Sequence, residues 1–369
     1  MKTNYSAPGK LFISGEWAIL DVGNYGLVAA VNNRVHVSIE PASHMTITAE
    51  EFDIHDAKAE YTSGKLLVHA DEKQKETLKL FGEAISTSLK FLEEHKVQPM
   101  PFKITTNSSD TQFDTPAGRK KVGFGSSAAV VVAAVAAVLD FHEYKASKEE
   151  IYKLSTIAHY YAQGKVGSAF DVAASTYGGL FVYSRFDPEW LTKKIDSGEP
   201  LAKIVGEKWP SLVIEEVEVP SDFRMLVGWT GDSASTSAMI KQMNIFKDSS
   251  KDEYDELTGA IARTAWDAIE AFKKDERERF LGLLTKNESL LRRLGEASGV
   301  PIETPELKKL SEIADDYSAA GKLSGAGGGD CGIAVCFDEV TANNVVSAWE
   351  DEGLIPLDVT IDREGTRKE

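Results

Sequence analysis

Cysteine is scarce in this chain, with two among 369 residues, Cys331 and Cys336. That excludes a disulfide-framed fold and a Cys-x-x-Cys metal site, and it fits a reducing cytoplasm. Long apolar runs are missing too. The most apolar stretch, Ala128–Leu139, falls short of the roughly 20 residues that cross a bilayer, so a helix buried on all sides is expected there. The opening MKTNYSAPGKLFISGEW has polar residues and proline where a secretory leader would be apolar, so none is expected. Positive charge is in deficit, because 41 Lys and Arg against 58 Asp and Glu leave a formal net charge of −17. Such a chain repels nucleic acid and anionic membranes at long range, and neither is expected as a partner. An anionic small molecule would need a local basic pocket. No internal repeat or low-complexity tract occurs, and no phosphate loop ends in Gly-Lys-Ser/Thr.

What is present is a mixture of strand and helix signals. Alternating or β-branched segments predict strands at 10–14, 34–40, 45–50, 65–69, 101–106 and 178–184. Helical periodicity covers 76–95, and a capping box, Ser147 with Glu150, opens a helix after the apolar run. Helices are predicted at 234–246, 252–274, 277–297 and 305–320, with strands at 331–337 and 357–362 around a last helix. The interleaving lacks a regular βαβ repeat, so the fold class is α+β. A chain of 369 residues is long enough for two domains. They are placed at 1–190 and 221–369, joined by a turn-rich segment at 191–220.

Four stretches carry chemistry. In GRKKVGFGSSAA the glycines allow close backbone approach, and Ser126 and Ser127 begin a helix whose free N–H groups and dipole favour an anion. Serine hydroxyls also suit Mg²⁺, which prefers oxygen. A plain N-cap on a buried helix would look similar. In SAPGKLFISGEW, Lys10 opens a strand after a Pro-Gly turn, as an ordinary solvated lysine also would. In KLSGAGGGDCGIAVCF, four glycines precede an apolar strand, which favours a loop shaped around a ligand over a flexible linker. In AQGKVGSAFDVAAS, Lys165, Ser168 and Asp171 enter an apolar helix that Asp171 could merely cap.

Together, PGKLFISGEWAIL, VGFGSSAA and SGAGGGDCGIA resemble the three ordered motifs of the GHMP small-molecule kinases (galactokinase, homoserine kinase, mevalonate kinase, phosphomevalonate kinase) over nearly the whole chain. Within that family, AQGKVGSAFDVAASTYGG, MLVGWTGDSASTSAMI and SGAGGGDCGIA are similar to the phosphomevalonate kinase branch. The resemblance implies a first domain like domain 2 of ribosomal protein S5 and a ferredoxin-like second domain. It implies an ATP site between them and γ-phosphoryl transfer to 5-phosphomevalonate. It places Lys10 and Asp171 at the reacting groups. Lys121, Gly123, Phe124, Gly125, Ser126 and Ser127 fall at ATP, the two serines reaching Mg²⁺, with Asn107 a candidate near adenine. Lys10, Glu16, Lys120, Lys165, Ser168, Ser237 and Ser324, Gly325, Ala326, Gly327 fall at the acceptor. Mevalonate kinases carry a Mg²⁺-binding glutamate on the helix before the motif aspartate. Here that position reads IAHYYAQGK, without a carboxylate. Mevalonate kinase, mevalonate-diphosphate decarboxylase, a sugar kinase and an inactive ligand-sensing relative remain alternatives. Monomer and homodimer are both open.

Overall fold

The computed structural model describes residues 2–115, 118–164, 167–231 and 236–369, without the side chains of 114, 115, 119 and 121. The first unit begins with β1 (Thr3–Ser14) and the long β2 (Gly26–Pro41), followed by β3 (Met45–Ala49), β4 (Ile54–Thr62) and β5 (Lys65–His69). Next come α1 (Glu72–Glu94), β6 (Phe102–Asn107), a small hairpin of β7 (Gln112–Thr115) and β8 (Gly118–Lys121), α2 (Ser126–Phe141), α3 (Lys148–Ala162), α4 (Phe170–Tyr177) and β9 (Leu180–Ser184). The main sheet is antiparallel except for β3 beside β6, and β2 is its hub, pairing with β1, β6 and β9.

Helix α2 is the buried helix anticipated from its composition. Val131, Val132, Ala133, Ala134 and Val135 are all fully inaccessible. It packs with α1, α3 and α4 on one face of the sheet, in a core that includes Phe81, Leu89, Phe102, Tyr152 and Phe181. The capping box of α3 is formed on both sides.

The segment expected to connect two domains does not do so, which corrects the boundaries above. It folds as α5 (Pro188–Asp196), α6 (Leu201–Gly206) and β10 (Val213–Val217), and β10 pairs with β9 at the edge of the first sheet. Leu191, Leu201, Ile204 and Trp209 enter the first core. Its prolines punctuate helices: Pro188 occupies the first turn of α5 behind the Asp187 cap, and Pro200 precedes α6.

The second unit holds β11 (Arg224–Trp229), α7 (Thr236–Ser249), α8 (Lys251–Lys273), α9 (Arg277–Ser298), α10 (Pro305–Asp316), β12 (Ala320–Leu323), β13 (Cys331–Cys336), α11 (Glu339–Asp351) and β14 (Ile355–Leu357). Its antiparallel sheet has the order β12-β13-β11-β14. Leu11, Ile13, Leu27 and Ala29 on the outer face of β1 and β2 share a core with Val227, Trp229, Phe272 and Ile333. The first two strands are therefore buried on both faces, which holds the two units against each other.

The strand expected at 357–362 is divided. Residue 357 ends β14, whereas Ile361 bridges to Val31 in the first sheet. The chain then adds β15 (Arg367–Lys368) beside β1. Buried Arg34 pairs with Asp362 and donates from Nη2 to the carbonyls of Gly365 (2.7 Å) and Ser6 (3.0 Å). The tail thus belongs to the first unit, although a boundary drawn from sequence assigned it to the second.

Candidate active site

A cleft of about 880 Å³ opens where the units meet. Lys10, Glu16, Gly123, Gly125, Ser126, Ser127, Ser168, Asp171, Ser237 and the 324–327 loop all line it. Residues as far apart in sequence as Lys10 and Gly327 are brought together there by local devices. The β1–β2 register shifts between Pro8 and Gly9, and such a bulge re-aims the side chains that follow. Lys10 then donates its amide to Phe124 O at 2.8 Å and its ammonium to Gly123 O at 3.0 Å. Its Nζ also lies 5.9 Å from the centre of the Phe170 ring.

Gly125 precedes α2 with φ of 81°, and a Cβ there would meet Lys10 Cγ at 3.0 Å. Among the described residues no side chain caps α2, so the N–H groups around Ser126 and Ser127 and the positive end of the helix dipole face the cleft. Asp171 stands in the first turn of α4, after Ala169 at φ 61°, and accepts the Val172 amide at 3.0 Å. Ser168 is buried beside it, with its carbonyl held by Tyr183 Oη.

The 324–327 loop is tied to β1 rather than left free. Ser324 Oγ accepts the Phe12 amide at 2.9 Å and donates to Phe12 O at 3.0 Å. Trp17 Nε1 donates to Ala326 O at 3.2 Å. Glu16 is only 1 % exposed and forms a buried ion pair with Lys322 of β12. Its carboxylate therefore neutralises Lys322 under the cleft floor. Beside this pair, burial first of all pushes the Glu288 carboxyl up to about 8, against the opposing pull of Lys322 and the Leu323 amide.

Other expected site residues lie elsewhere. Phe124 is fully buried, edge-on to Phe113, and offers the site only its backbone. Asn107 donates to Glu50 Oε2 at 2.6 Å and accepts the Ser109 amide, away from the residues lining the cleft. Lys120 is exposed on the hairpin and is not among the lining residues. Lys165 and the side chain of Lys121 lie outside the described residues.

Several lining residues were missed, among them Lys79, His159 and Asp330. His159, at the end of α3, is buried, and desolvation lowers its pKa although Asp171 opposes this. It carries the wall where the helix has no carboxylate. Asp330 follows the four glycines and accepts the Gly123 amide at 2.9 Å. Burial raises its carboxyl, against that amide and Lys10. An aspartate after a glycine loop was visible in the sequence, but nothing local indicated which amide it would meet.

Comparison with known proteins finds relatives over nearly the whole chain. The family models described as "GHMP kinases N terminal domain" and "GHMP kinases C terminal" match residues 82–179 and 268–354. A phosphomevalonate kinase from a Streptomyces species is 33 % identical, over 97 % of both chains. A protein of known structure from Listeria innocua is 30 % identical, with a TM-score of 0.90, covering 100 % of this chain and 99 % of that one. The Streptococcus pneumoniae phosphomevalonate kinase in complex with phosphomevalonate and AMPPNP is 26 % identical, with a TM-score of 0.83, covering 97 % and 99 %. Among the described residues, no helix is long and apolar enough to cross a membrane.

Proposed function

The chain belongs to the GHMP kinases, and from that membership we propose that it transfers the γ-phosphoryl group of ATP to the phosphate of 5-phosphomevalonate, giving 5-diphosphomevalonate and ADP. The observation that carries this reading is the convergence of Lys10, Asp171 and both glycine-rich loops on one cleft.

Phosphoryl transfer asks the protein for positioning and charge stabilisation more than for covalent chemistry. The N–H groups at the start of α2 cradle ATP phosphates. Lys10 keeps one ammonium proton on the Gly123 carbonyl and turns its remaining donors to the transferred group. A phosphate monoester has its second pKa near 6, so the acceptor is already largely anionic at neutral pH and needs no strong base. Asp171 therefore orients the acceptor and Lys10 rather than removing a proton. Ser168 and Ser237 supply hydroxyl donors at the acceptor end, and Lys165 and Lys121 are the further cations this reading needs to bring two phosphates together.

The oxygen donors at the cleft suit Mg²⁺: the Ser126 and Ser127 hydroxyls and the Asp171 carboxylate. Among the described residues no cluster of three His, Cys, Asp or Glu stands ready to hold a metal, so the protein would share the ion with ATP. Bound there, it neutralises phosphate charge. The two buried free thiols accord with a cytoplasmic enzyme, and every residue invoked comes from one chain. The test is a coupled ADP assay over a panel of acceptors. 5-Phosphomevalonate is expected to give the highest kcat/KM, and a preference for mevalonate or a sugar would overturn the assignment.

A further inference from the structure

Asp330 is the cleft's one acid from the second unit that reaches the phosphate loop of the first, among the described residues. Its backbone carbonyl accepts both the Thr230 amide (2.9 Å) and the Thr230 hydroxyl (3.1 Å), which anchors it at the end of β11. Its carboxylate Oδ1 then accepts the Gly123 amide at 2.9 Å. The carbonyl of the same glycine accepts Lys10 Nζ at 3.0 Å. A Cβ on Gly123 would overlap the Asp330 carboxylate, so glycine is what lets the acid seat against the loop. Asp330 itself holds φ of 65°, a left-handed conformation that aspartate and asparagine adopt more readily than other residues with a side chain. A carboxylate in a cleft for phosphates is unfavourable by Coulomb's law. Its seat against a loop amide in such a cleft points to a specific task.

We propose that Asp330 is a positioning residue: by taking the Gly123 amide across the seam between the units, it fixes the glycine whose carbonyl holds Lys10, and so sets the Lys10 ammonium for transfer. This rests on the role given to Lys10 above. The link acts through a hydrogen-bond acceptor, not through charge.

Two substitutions separate these. Asp330→Asn keeps an acceptor oxygen and tolerates the left-handed backbone. Asp330→Gly deletes the acceptor and suits φ of 65° better than aspartate does, so it does not fail through backbone strain. Kinetics at saturating ATP should show kcat falling about tenfold in the glycine variant, the scale of one lost hydrogen bond to a charged group. KM for the acceptor should change little, and the asparagine variant should recover most of the loss. Amide hydrogen exchange gives a readout independent of turnover. The peptide spanning Val122–Ser127 should exchange faster in the glycine variant than in the wild type or the asparagine variant. Equal kcat and exchange in the glycine variant and the wild type would overturn the proposal. So would an asparagine variant as impaired as the glycine one, since charge would then be the active property. Failure of the functional reading shows separately, as a wild-type enzyme that releases no ADP with 5-phosphomevalonate. The exchange comparison still decides the Asp330 link in that case.

Discussion

Lys322→Met is expected to expose how the two units are fastened beneath the cleft. Lys322 Nζ is inaccessible, pairs with the buried Glu16 carboxylate of the first unit and donates to Leu323 O at 2.6 Å. Glu288, also buried, takes the Leu323 amide at 3.0 Å. Removing the ammonium leaves Glu16 without its counter-charge, while its second oxygen already has no hydrogen-bond partner among the described residues. Breaking one member of a buried pair costs about 3–5 kcal/mol. Unfolding entropy is about 2.1 cal/mol/K per residue, or about 0.8 kcal/mol/K for a chain of 369 residues melting as one. The melting temperature should therefore drop by about 4–6 °C, read by scanning calorimetry at neutral pH. The double variant Lys322→Met with Glu16→Leu removes both charges and should regain most of the loss, because an apolar replacement of a buried pair is often neutral. A single variant melting within about 1 °C of the wild type would refute the argument, since the pair would then carry no net weight.

Lys10→Met and Asp171→Asn should each lower kcat by about 100-fold, the scale of one lost transition-state contact; steady-state ADP release with 5-phosphomevalonate measures it, and full activity removes that residue from the mechanism. Glu288→Gln should flatten the dependence of stability on pH. The folded protein keeps the Glu288 proton up to about pH 8, whereas the unfolded chain releases it above 4.5, so this contribution is present at low pH and is lost as pH rises through that window. Urea midpoints from pH 5 to 8 would show it as a slope present in the wild type and reduced in the variant. Gly327→Ala would drive a Cβ into the Ile302 carbonyl at a backbone φ of 79°, so a loss of stability and of acceptor affinity is expected, seen by melting and by KM.

Much of the site was legible because glycine-rich turns before helices and strands have few other uses. The Gly-Phe-Gly-Ser-Ser turn, the Asp171 turn and the Ser324–Gly327 loop all face the same cleft. Other features were illegible for specific reasons. Phe124 sits in the middle of a motif, yet its side chain is buried in the core beside Phe113, a partner that no neighbouring residue reveals. Segment 191–220 has the prolines and glycines of a linker, but the same residues cap and start short helices. Periodicity in six- to nine-residue elements is too brief to show this. The strand Ile54–Thr62 was missed because its burial alternates weakly and charged residues interrupt it.

By itself the sequence determined the α+β class, the buried helix Ser126–Phe141 and the chemistry its glycine-rich turns offer, since each follows from local propensity and patterning. Tertiary structure alone decided which side chains meet. Glu16 found Lys322, Asp330 found the Gly123 amide, and the tail from Asp362 returned to Arg34 of the first sheet. The physical reason is separation along the chain: buried charges and amides must find partners, and the partner is chosen by how whole elements pack, not by any neighbour in sequence.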